Sequence, residues 1–264
     1  MTRQSSVATL LFAAFLSLAS PMVVAGDYMI ENIQGDIYRF IDDRHRAVFL
    51  VTNDGILLTD PLNAEAAAWL KIELQKRFNV PVKYVVYSHN HSDHIYGAEV
   101  FNDPETKFIA HELAEQDIRT TRAKTVLPDV IFKEDMVISL GGHSIELRYH
   151  GPNDGRGSIS MLFRTEKVLF VVDWIVLGRM PWQKLWSYDI QGMINSTAQV
   201  LELDFEIFVG GHADIGNKAD VQRYLTYLQT LYRAVIDDIH SGQSLKAVPG
   251  TVYLFMQYTL IFSS

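Results

Sequence analysis

Four potential metal ligands within six residues constrain this chain more than any other feature. The apolar stretch 82–87 predicts a buried strand, and the polar segment His-Asn-His-Ser-Asp-His, residues 89–94, follows it at once. His89 and His91 are two residues apart, so in extended backbone both side chains leave on the same side and can hold one ion. Asp93 and His94 point elsewhere, which suits a second ion a few ångströms away. Because imidazole and carboxylate groups are ligands of zinc and similar ions, the loop predicts a metal site rather than a solvated turn.

The composition predicts a globular chain without a nucleic-acid surface. Its 264 residues suffice for one large domain or two small ones, and a hydrophobic content of 48% supports a sizeable core. The net charge is -8 and no block of basic residues is present, which argues against nucleic acid as a partner. The chain has no cysteine, so disulfides, thiolate ligands and thiol nucleophiles are excluded.

The two ends of the sequence differ in character from the rest. Residues 1–25 predict a secretory signal, with Arg3, a short apolar core and small residues before a cleavage site near Ala25. We therefore expect a periplasmic or secreted protein whose domain covers residues 26–249. The apolar tail 250–264 is too short to span a bilayer and is either an extra strand or a non-native end, so no stable membrane anchor is expected.

Between these ends the sequence alternates strands and helices in two groups. Turn signals and apolar periodicity predict strands at 36–42, 47–52, 55–59, 82–87, 107–110, 136–140, 144–149, 158–164, 168–172 and 207–209. The predicted helices are 63–78, 112–120, 189–203 and 218–241. Two groups of strands, each with its own helices, predict two sheets packed face to face with helices outside.

Three further residues at the ends of apolar strands are candidate site residues. Asp173 ends the run 168–172, and a carboxylate there must be paired, hydrogen-bonded or metal-bound to offset its desolvation. We favour metal binding over a helix-capping role. His212 follows the strand 207–209 and two glycines, which let the backbone approach an ion or ligand closely. Asp60 either orients a ligand histidine or caps a turn, and the sequence does not separate the two.

The other five histidines receive structural roles by default. His45 is expected in a turn, His143 in a hairpin and His240 at the exposed end of the last helix. His111 is expected to cap a helix or to line the mouth of the site. His150 is the exception, because it lies close to a loop discussed next.

The segment 89–94 matches the H-x-H-x-D-H signature of the metallo-β-lactamase superfamily, and Asp173 and Gly211-His212 resemble its later motifs in order and spacing. The resemblance covers roughly residues 30–245 and implies an α+β fold, a four-layer αβ/βα sandwich of two mixed β-sheets with a dinuclear site between the sheet edges. It also implies a division of the ligands. His89 and His91 would hold one ion, Asp93, His94 and His212 would hold the other, and Asp173 would bridge them.

One loop departs from this family's pattern. The family usually has a histidine for the first ion in a G-P-x-H-x-x-G-like loop, and here Asp154 stands at that position. In one reading Asp154 is the ligand, since carboxylate oxygens bind zinc at similar distances. Alternatively His150 replaces it, or the first ion is weakly held and the site works with one metal or does not work at all.

These features predict a metal-dependent hydrolase that uses a metal-activated water on an ester, lactone, thioester or amide-type small molecule. Zinc is the expected metal, as one or two ions, with iron or manganese as alternatives. Asp93 is the expected catalytic proton acceptor. Iron-dependent sulfur oxidation and a non-catalytic metal-binding role are the alternative functions. Trp182 and Trp186 follow Asp173 in a connection that either walls the cleft or only packs.

Overall fold

The structure is a computed structural model that describes residues 28–180 and 187–242. Its strands are β1 Tyr28–Gln34, β2 Ile37–Asp42, β3 His45–Thr52, β4 Gly55–Thr59, β5 Val82–Val86, β6 Lys107–His111, β7 Val130–Phe132, β8 Asp135–Leu140, β9 His143–Tyr149, β10 Ile159–Phe163, β11 Val168–Val171, β12 Ile207–Gly210 and β13 Gly216–Asn217. Its helices are α1 Ala64–Arg77, α2 Ser92–Ile95, α3 Glu112–Thr121, α4 Ile190–Val200 and α5 Lys218–His240, with a 3-10 turn at Ala98–Phe101.

The first sheet has seven strands in chain order, from β1 to β7. The first four are joined by hairpins and pair antiparallel, whereas β4, β5, β6 and β7 pair parallel. Parallel neighbours need a crossover, which α1 provides between β4 and β5 and α3 provides between β6 and β7. The carboxyl ends of β4, β5 and β6 therefore meet at one edge of the sheet.

The second sheet has six strands in the order β13-β12-β11-β10-β9-β8. Its pairs are antiparallel except β11 with β12, which are parallel and joined through α4. The residues that follow β11 and β12 therefore leave the sheet side by side.

Three apolar cores define four layers. One lies between the first sheet and α1 and α3 and includes Phe49 and Leu70. A second lies between the two sheets and includes Leu57 and Phe170. A third lies between the second sheet and α4 and α5 and includes Trp174. Because neighbouring strand residues face opposite cores, central strands such as β4 and β11 are buried at every residue.

The predicted α+β class and the αβ/βα sandwich are confirmed, with differences at element ends. The edge strand β1 was not predicted, because its half-exposed residues mix polar and apolar types. Helix α4 ends at Val200 rather than at 203, and the turn expected at His45 is the first residue of β3. The predicted signal and tail, and Trp182 and Trp186, lie outside the described residues. Within the described ranges, none of the helices combines the length and apolar composition that crossing a bilayer requires.

Candidate metal centre

The predicted ligands converge where the two sheets meet. His89 and His91 follow β5, Asp93 and His94 belong to α2, and the other three follow strands of the second sheet. Together with His45 they form three groups whose donor atoms lie within 4.8 Å of one another: His89, His94 and Asp173; His91, Asp154 and Asp173; and His45, Asp93 and His212. The sequence places these residues up to 167 positions apart, so the fold itself assembles the site.

Asp60 and Ser88 hold the start of the histidine loop. Asp60 ends β4, is fully buried, and its Oδ1 accepts the backbone N–H of Ser88 at 2.8 Å. The Ser88 hydroxyl lies 2.8 Å from Nδ1 of His89 and orients that ring. The Asp60 side chain thus supports the strand end that carries the ligands, through the Ser88 backbone rather than through a ligand histidine.

Asp173 is the centre of the cluster. Its Oδ2 lies 3.1 Å from His89 Nε2 and 3.0 Å from His91 Nδ1. Its Oδ1 lies 3.3 Å from His94 Nε2 and 2.9 Å from His212 Nε2. One carboxylate therefore faces two pairs of imidazoles, one pair with each oxygen, which is the arrangement expected of a bridging ligand. No helix follows Asp173 at Trp174, so the alternative of a helix-capping role is wrong.

His94 and His212 face each other near Oδ1 of Asp173, in the part of the centre that also contains Asp93, which we call the outer half. Their Nε2 atoms are 3.2 Å apart, and His212 Nδ1 donates to the carbonyl oxygen of Arg44 at 2.9 Å. With its proton on Nδ1, His212 presents the Nε2 lone pair to the interior. Gly211, directly before His212, lets the backbone pack closely against Val172, because a Cβ at this position would overlap the Val172 side chain. The close approach is thus to protein rather than to an ion.

Asp154 lies beside His91, in the part of the centre that also contains His89 and that we call the inner half, as one reading of the loop predicted. Its side chain is almost completely buried, Oδ1 lies 3.8 Å from His91 Nε2, and Ser187 donates to the same oxygen at 2.9 Å. His150 points away instead, with Nε2 2.8 Å from the Ser160 hydroxyl and Nδ1 3.3 Å from the Gln199 side chain. His150 therefore lies outside the three donor groups in this structure.

Asp93 lies on the open side of the centre with a residue that sequence reasoning missed. Its side chain is 50% exposed, and its Oδ2 lies 3.3 Å from Nε2 of His45. The sequence predicts no part in the site for His45, because a lone histidine beside a turn carries no local signal. Its ring centroid is 5.1 Å from that of His212 and 5.7 Å from that of His94.

The other default histidines keep structural roles. His111 caps α3 by accepting the N–H of Leu113 and stacks on Tyr149 with ring centroids 4.0 Å apart. His143 pairs with Glu166 at 2.8 Å. Neither residue lies in the three donor groups.

Burial and neighbouring charges shift the pKa values of two buried imidazoles, His89 and His94, in opposite directions. Burial lowers the pKa of His89 to about 4, with the neighbouring His91 adding to the effect. Burial also lowers the pKa of His94, but the charge and hydrogen bond of Asp173 outweigh it and raise the pKa to about 9. The carboxylates likewise differ: burial and the charge of Asp173 raise the pKa of Asp154, whereas His94 and His89 hold the pKa of Asp173 far below its usual range against its burial. Without a cation, a proton on His94 therefore offsets the negative charge of Asp173.

The donor set fits a divalent cation. Two ligand atoms on one tetrahedral zinc ion, each about 2.0–2.1 Å from it, lie about 3.3–3.4 Å apart. The donor pairs around Asp173 are spaced at 2.9 to 3.3 Å, close to that value. In addition, the buried Asp173 Oδ1 has no hydrogen bond of good geometry, although His94 Nε2 and His212 Nε2 lie 3.3 and 2.9 Å from it. A cation in place of the proton on His94 would satisfy this oxygen.

Fold and site together define the class of protein. The sequence profile of the metallo-beta-lactamase superfamily matches residues 41–212, and the chain belongs to this superfamily.

Known proteins resemble the chain at different levels. It is 27% identical over 190 residues to the 2,4-dinitroanisole O-demethylase subunit alpha of Nocardioides sp. (strain JS1661), a match that covers 69% of this chain and 56% of that protein. The chain thus spans little more than half the length of this curated relative.

Two solved structures share the fold. A metallo-beta-lactamase from Pontibacter korlensis superposes with a TM-score of 0.71 at 18% identity, over 76% of this chain and 99% of the other. The DIM-1 metallo-beta-lactamase superposes with a TM-score of 0.69 at 16% identity, over 77% and 97%.

Proposed function

We propose that this protein is a metal-dependent hydrolase that acts on an ester, lactone, thioester or amide-type small molecule, with zinc as its metal. One observation carries the proposal: the two oxygens of Asp173 each face a pair of imidazoles, so that donors for two cations adjoin one another. Membership of the metallo-beta-lactamase superfamily supports the same class of chemistry.

The residues divide between an inner and an outer half of the centre. His89, His91 and Asp154 would hold a cation in the inner half, His94, His212 and Asp93 would hold one in the outer half, and Asp173 would contact both. A divalent cation bound there supplies Lewis-acid chemistry, because it lowers the pKa of a water molecule and polarises the bond to be cleaved.

Asp93 is the residue placed to move a proton. It is the most exposed of the three carboxylates, with side-chain exposures of 50% for Asp93, 11% for Asp173 and 2% for Asp154. Burial raises the pKa of Asp93, but the hydrogen bond from His45 and the charge of His94 outweigh burial and lower the pKa below its usual value. Asp93 is therefore ionised at neutral pH. Its Oδ2 can accept a proton from the attacking water and pass it to the leaving group at the open side.

A second candidate function is removal of the methyl group from an aryl methyl ether. The similarity to an O-demethylase subunit favours it. Water can cleave such an ether into a phenol and methanol, which needs the same water activation as ester hydrolysis. An oxidative route needs an oxidant and gives formaldehyde instead. The product that accompanies the phenol therefore separates the two routes.

The test is a hydrolysis screen of purified protein loaded with zinc, iron or manganese. Lactone, thioester, carboxylic ester, phosphodiester, β-lactam and 2,4-dinitroanisole substrates should be compared with and without a chelator. We expect zinc-dependent turnover of at least one carbonyl substrate. Turnover that is unaffected by metal removal, or absence of turnover with every metal and substrate, contradicts the proposal. Methanol or formaldehyde formed from 2,4-dinitroanisole supports the second candidate.

Location in the periplasm or outside the cell is a proposal from residues 1–25 alone. N-terminal sequencing of the protein recovered from a periplasmic fraction tests it, and an N-terminus near Gly26 is the expected result.

A further inference from the structure

His45 is the one histidine of the cluster that the superfamily resemblance does not assign. It begins β3, on the hairpin that links β2 to β3, and its side chain is 27% exposed. Its Nε2, a carboxylate oxygen of Asp93 and a ring nitrogen of His212 all lie within 4.8 Å of one another. This group therefore has the composition of a cation site, with two imidazoles and one carboxylate on the open side of the centre.

Two backbone contacts fix the hairpin that carries His45. The N–H of Arg46 donates to the carbonyl oxygen of Gly211 at 2.8 Å, and His212 Nδ1 donates to the carbonyl oxygen of Arg44 at 2.9 Å. The residues on both sides of His45 are thus bonded to the His212 loop. The backbone that carries His45 is therefore held against the loop that carries His212.

The spacing of His45 and Asp93 is that of two ligands of one ion. Their donor atoms are 3.3 Å apart, whereas N–H···O hydrogen bonds in proteins are typically about 2.7–3.2 Å long. Ligand atoms on one tetrahedral zinc are about 3.3–3.4 Å apart. The distance therefore accommodates a shared cation as well as the direct hydrogen bond that the two side chains make without one.

We propose that His45 is a ligand of the outer cation, together with Asp93 and His212. The inference rests on the cation centre of the proposed function but not on its reaction. Asp154 replaces an imidazole in the inner half, and His45 adds one to the outer half. The outer half then offers three imidazoles and the inner half two, so the first zinc equivalent binds in the outer half.

The experiment measures zinc binding to the metal-free full chain by competition with a chromophoric chelator. The variants are His45→Ala and His45→Gln, and His240→Ala, at the exposed end of α5, is the matched control. Loss of a partner that only orients a ligand already weakens metal binding about 10- to 100-fold. We therefore expect His45→Ala and His45→Gln each to raise one zinc dissociation constant at least about 10-fold, with the control unchanged. Circular dichroism checks that the variants are folded.

The glutamine variant separates ligation from positioning. Its amide N–H can still donate to Asp93, so wild-type zinc affinity in His45→Gln would show that His45 only positions Asp93, and it overturns the proposal. Unchanged affinity in His45→Ala overturns it as well. As a direct check, the ring-nitrogen NMR signal of His45 should shift when zinc is added, and an unshifted signal contradicts ligation.

The outcomes also separate this inference from the proposed function. If zinc binding depends on His45 but no substrate is turned over, the function fails and the inference stands. If substrates are hydrolysed and the His45 variants bind zinc normally, the reverse holds. A wild-type chain that binds no zinc refutes both.

Discussion

Replacing Asp60 with asparagine should change the free energy of unfolding and the zinc affinity in opposite directions. Asp60 is fully buried beneath the histidine loop, and its Oδ2 has no hydrogen-bond partner. Burial raises its pKa from 3.8 to about 6, against the lowering effect of His94 and the hydrogen bonds from Ser88. The folded chain therefore bears the cost of ionising this carboxyl at neutral pH. Asparagine has nearly the same shape and keeps an oxygen for the Ser88 N–H, but it carries no charge.

The size and sign of the effect follow from the two pKa values. Between pH 3.8 and about 6 the folded state binds more protons at Asp60 than the unfolded state does, so stability from this group falls as pH rises. Since one pKa unit corresponds to about 1.36 kcal/mol, the cost to the wild type is about 0.5 kcal/mol at pH 4 and about 3 kcal/mol at pH 8. The Asp60→Asn variant lacks this cost.

The assay is urea unfolding of metal-free protein in excess chelator, from pH 4 to pH 8. We expect the variant to gain stability over the wild type as pH rises, by about 2–3 kcal/mol across this range. Asp54→Asn, on the exposed turn before β4, controls for the loss of one negative charge. With zinc present we expect the variant to bind zinc more weakly, because it lacks the buried negative charge of Asp60 beneath the loop that carries the ligands.

Two results would refute this reasoning. One is a stability difference between Asp60→Asn and the wild type that does not change with pH, which would mean that Asp60 does not titrate differently in the folded chain. The other is a metal-free variant that is less stable than the wild type at pH 8. That result would mean that the Asp60 charge stabilises the fold even without a cation.

Four further predictions concern the metal centre and its supports. His91→Ala should lose both zinc and activity, measured by elemental analysis and turnover, and an active, metal-replete variant contradicts the ligand assignment. Returning zinc to metal-free protein at 100 times its dissociation constant should add about 2.7 kcal/mol and raise the melting temperature by about 5–11 °C, whereas equimolar magnesium should not. Zinc affinity should increase as pH rises towards about 9, because His94 must lose its proton to bind, and calorimetry in buffers of different ionisation enthalpy should detect that proton below pH 9. Gly192→Ala should destabilise the protein by about 1–3 kcal/mol despite the higher helix propensity of alanine, because the new Cβ meets the carbonyl oxygen of Pro152. Thermal unfolding measures the effect, and Gln191→Ala, on the exposed side of α4, is the control.

Local chemistry explains why much of the site was predictable. Residues 89–94 are adjacent in sequence, so the strand before them and their spacing suffice to predict a metal loop. Asp173 was predictable for a different reason, because a carboxylate at the end of a fully buried strand needs a partner. Asn63 and Asp189, at which two of the predicted helices begin, are N-caps in the structure, and each side chain accepts a backbone N–H of the first turn.

His45 was not predictable in the same way. It approaches the centre only because its hairpin is bonded to the His212 loop, and Arg44 and His212 are 168 residues apart in the sequence. Nothing in the local pattern near residue 45 encodes that contact, which depends on how the two sheets pack. The choice between Asp154 and His150 had the same origin, since the direction of each side chain is set by the neighbours it meets after folding.

The division of the ligands between the two sheets has a consequence for the life of the chain before it is complete. His89, His91, Asp93 and His94 come from one half of the molecule, while Asp154, Asp173 and His212 come from the other. An incomplete or half-folded chain thus presents only some of the ligands, and it would bind a cation weakly. A cation that needs donors from both halves would bind tightly only after the halves have docked, so its binding would be coupled to folding.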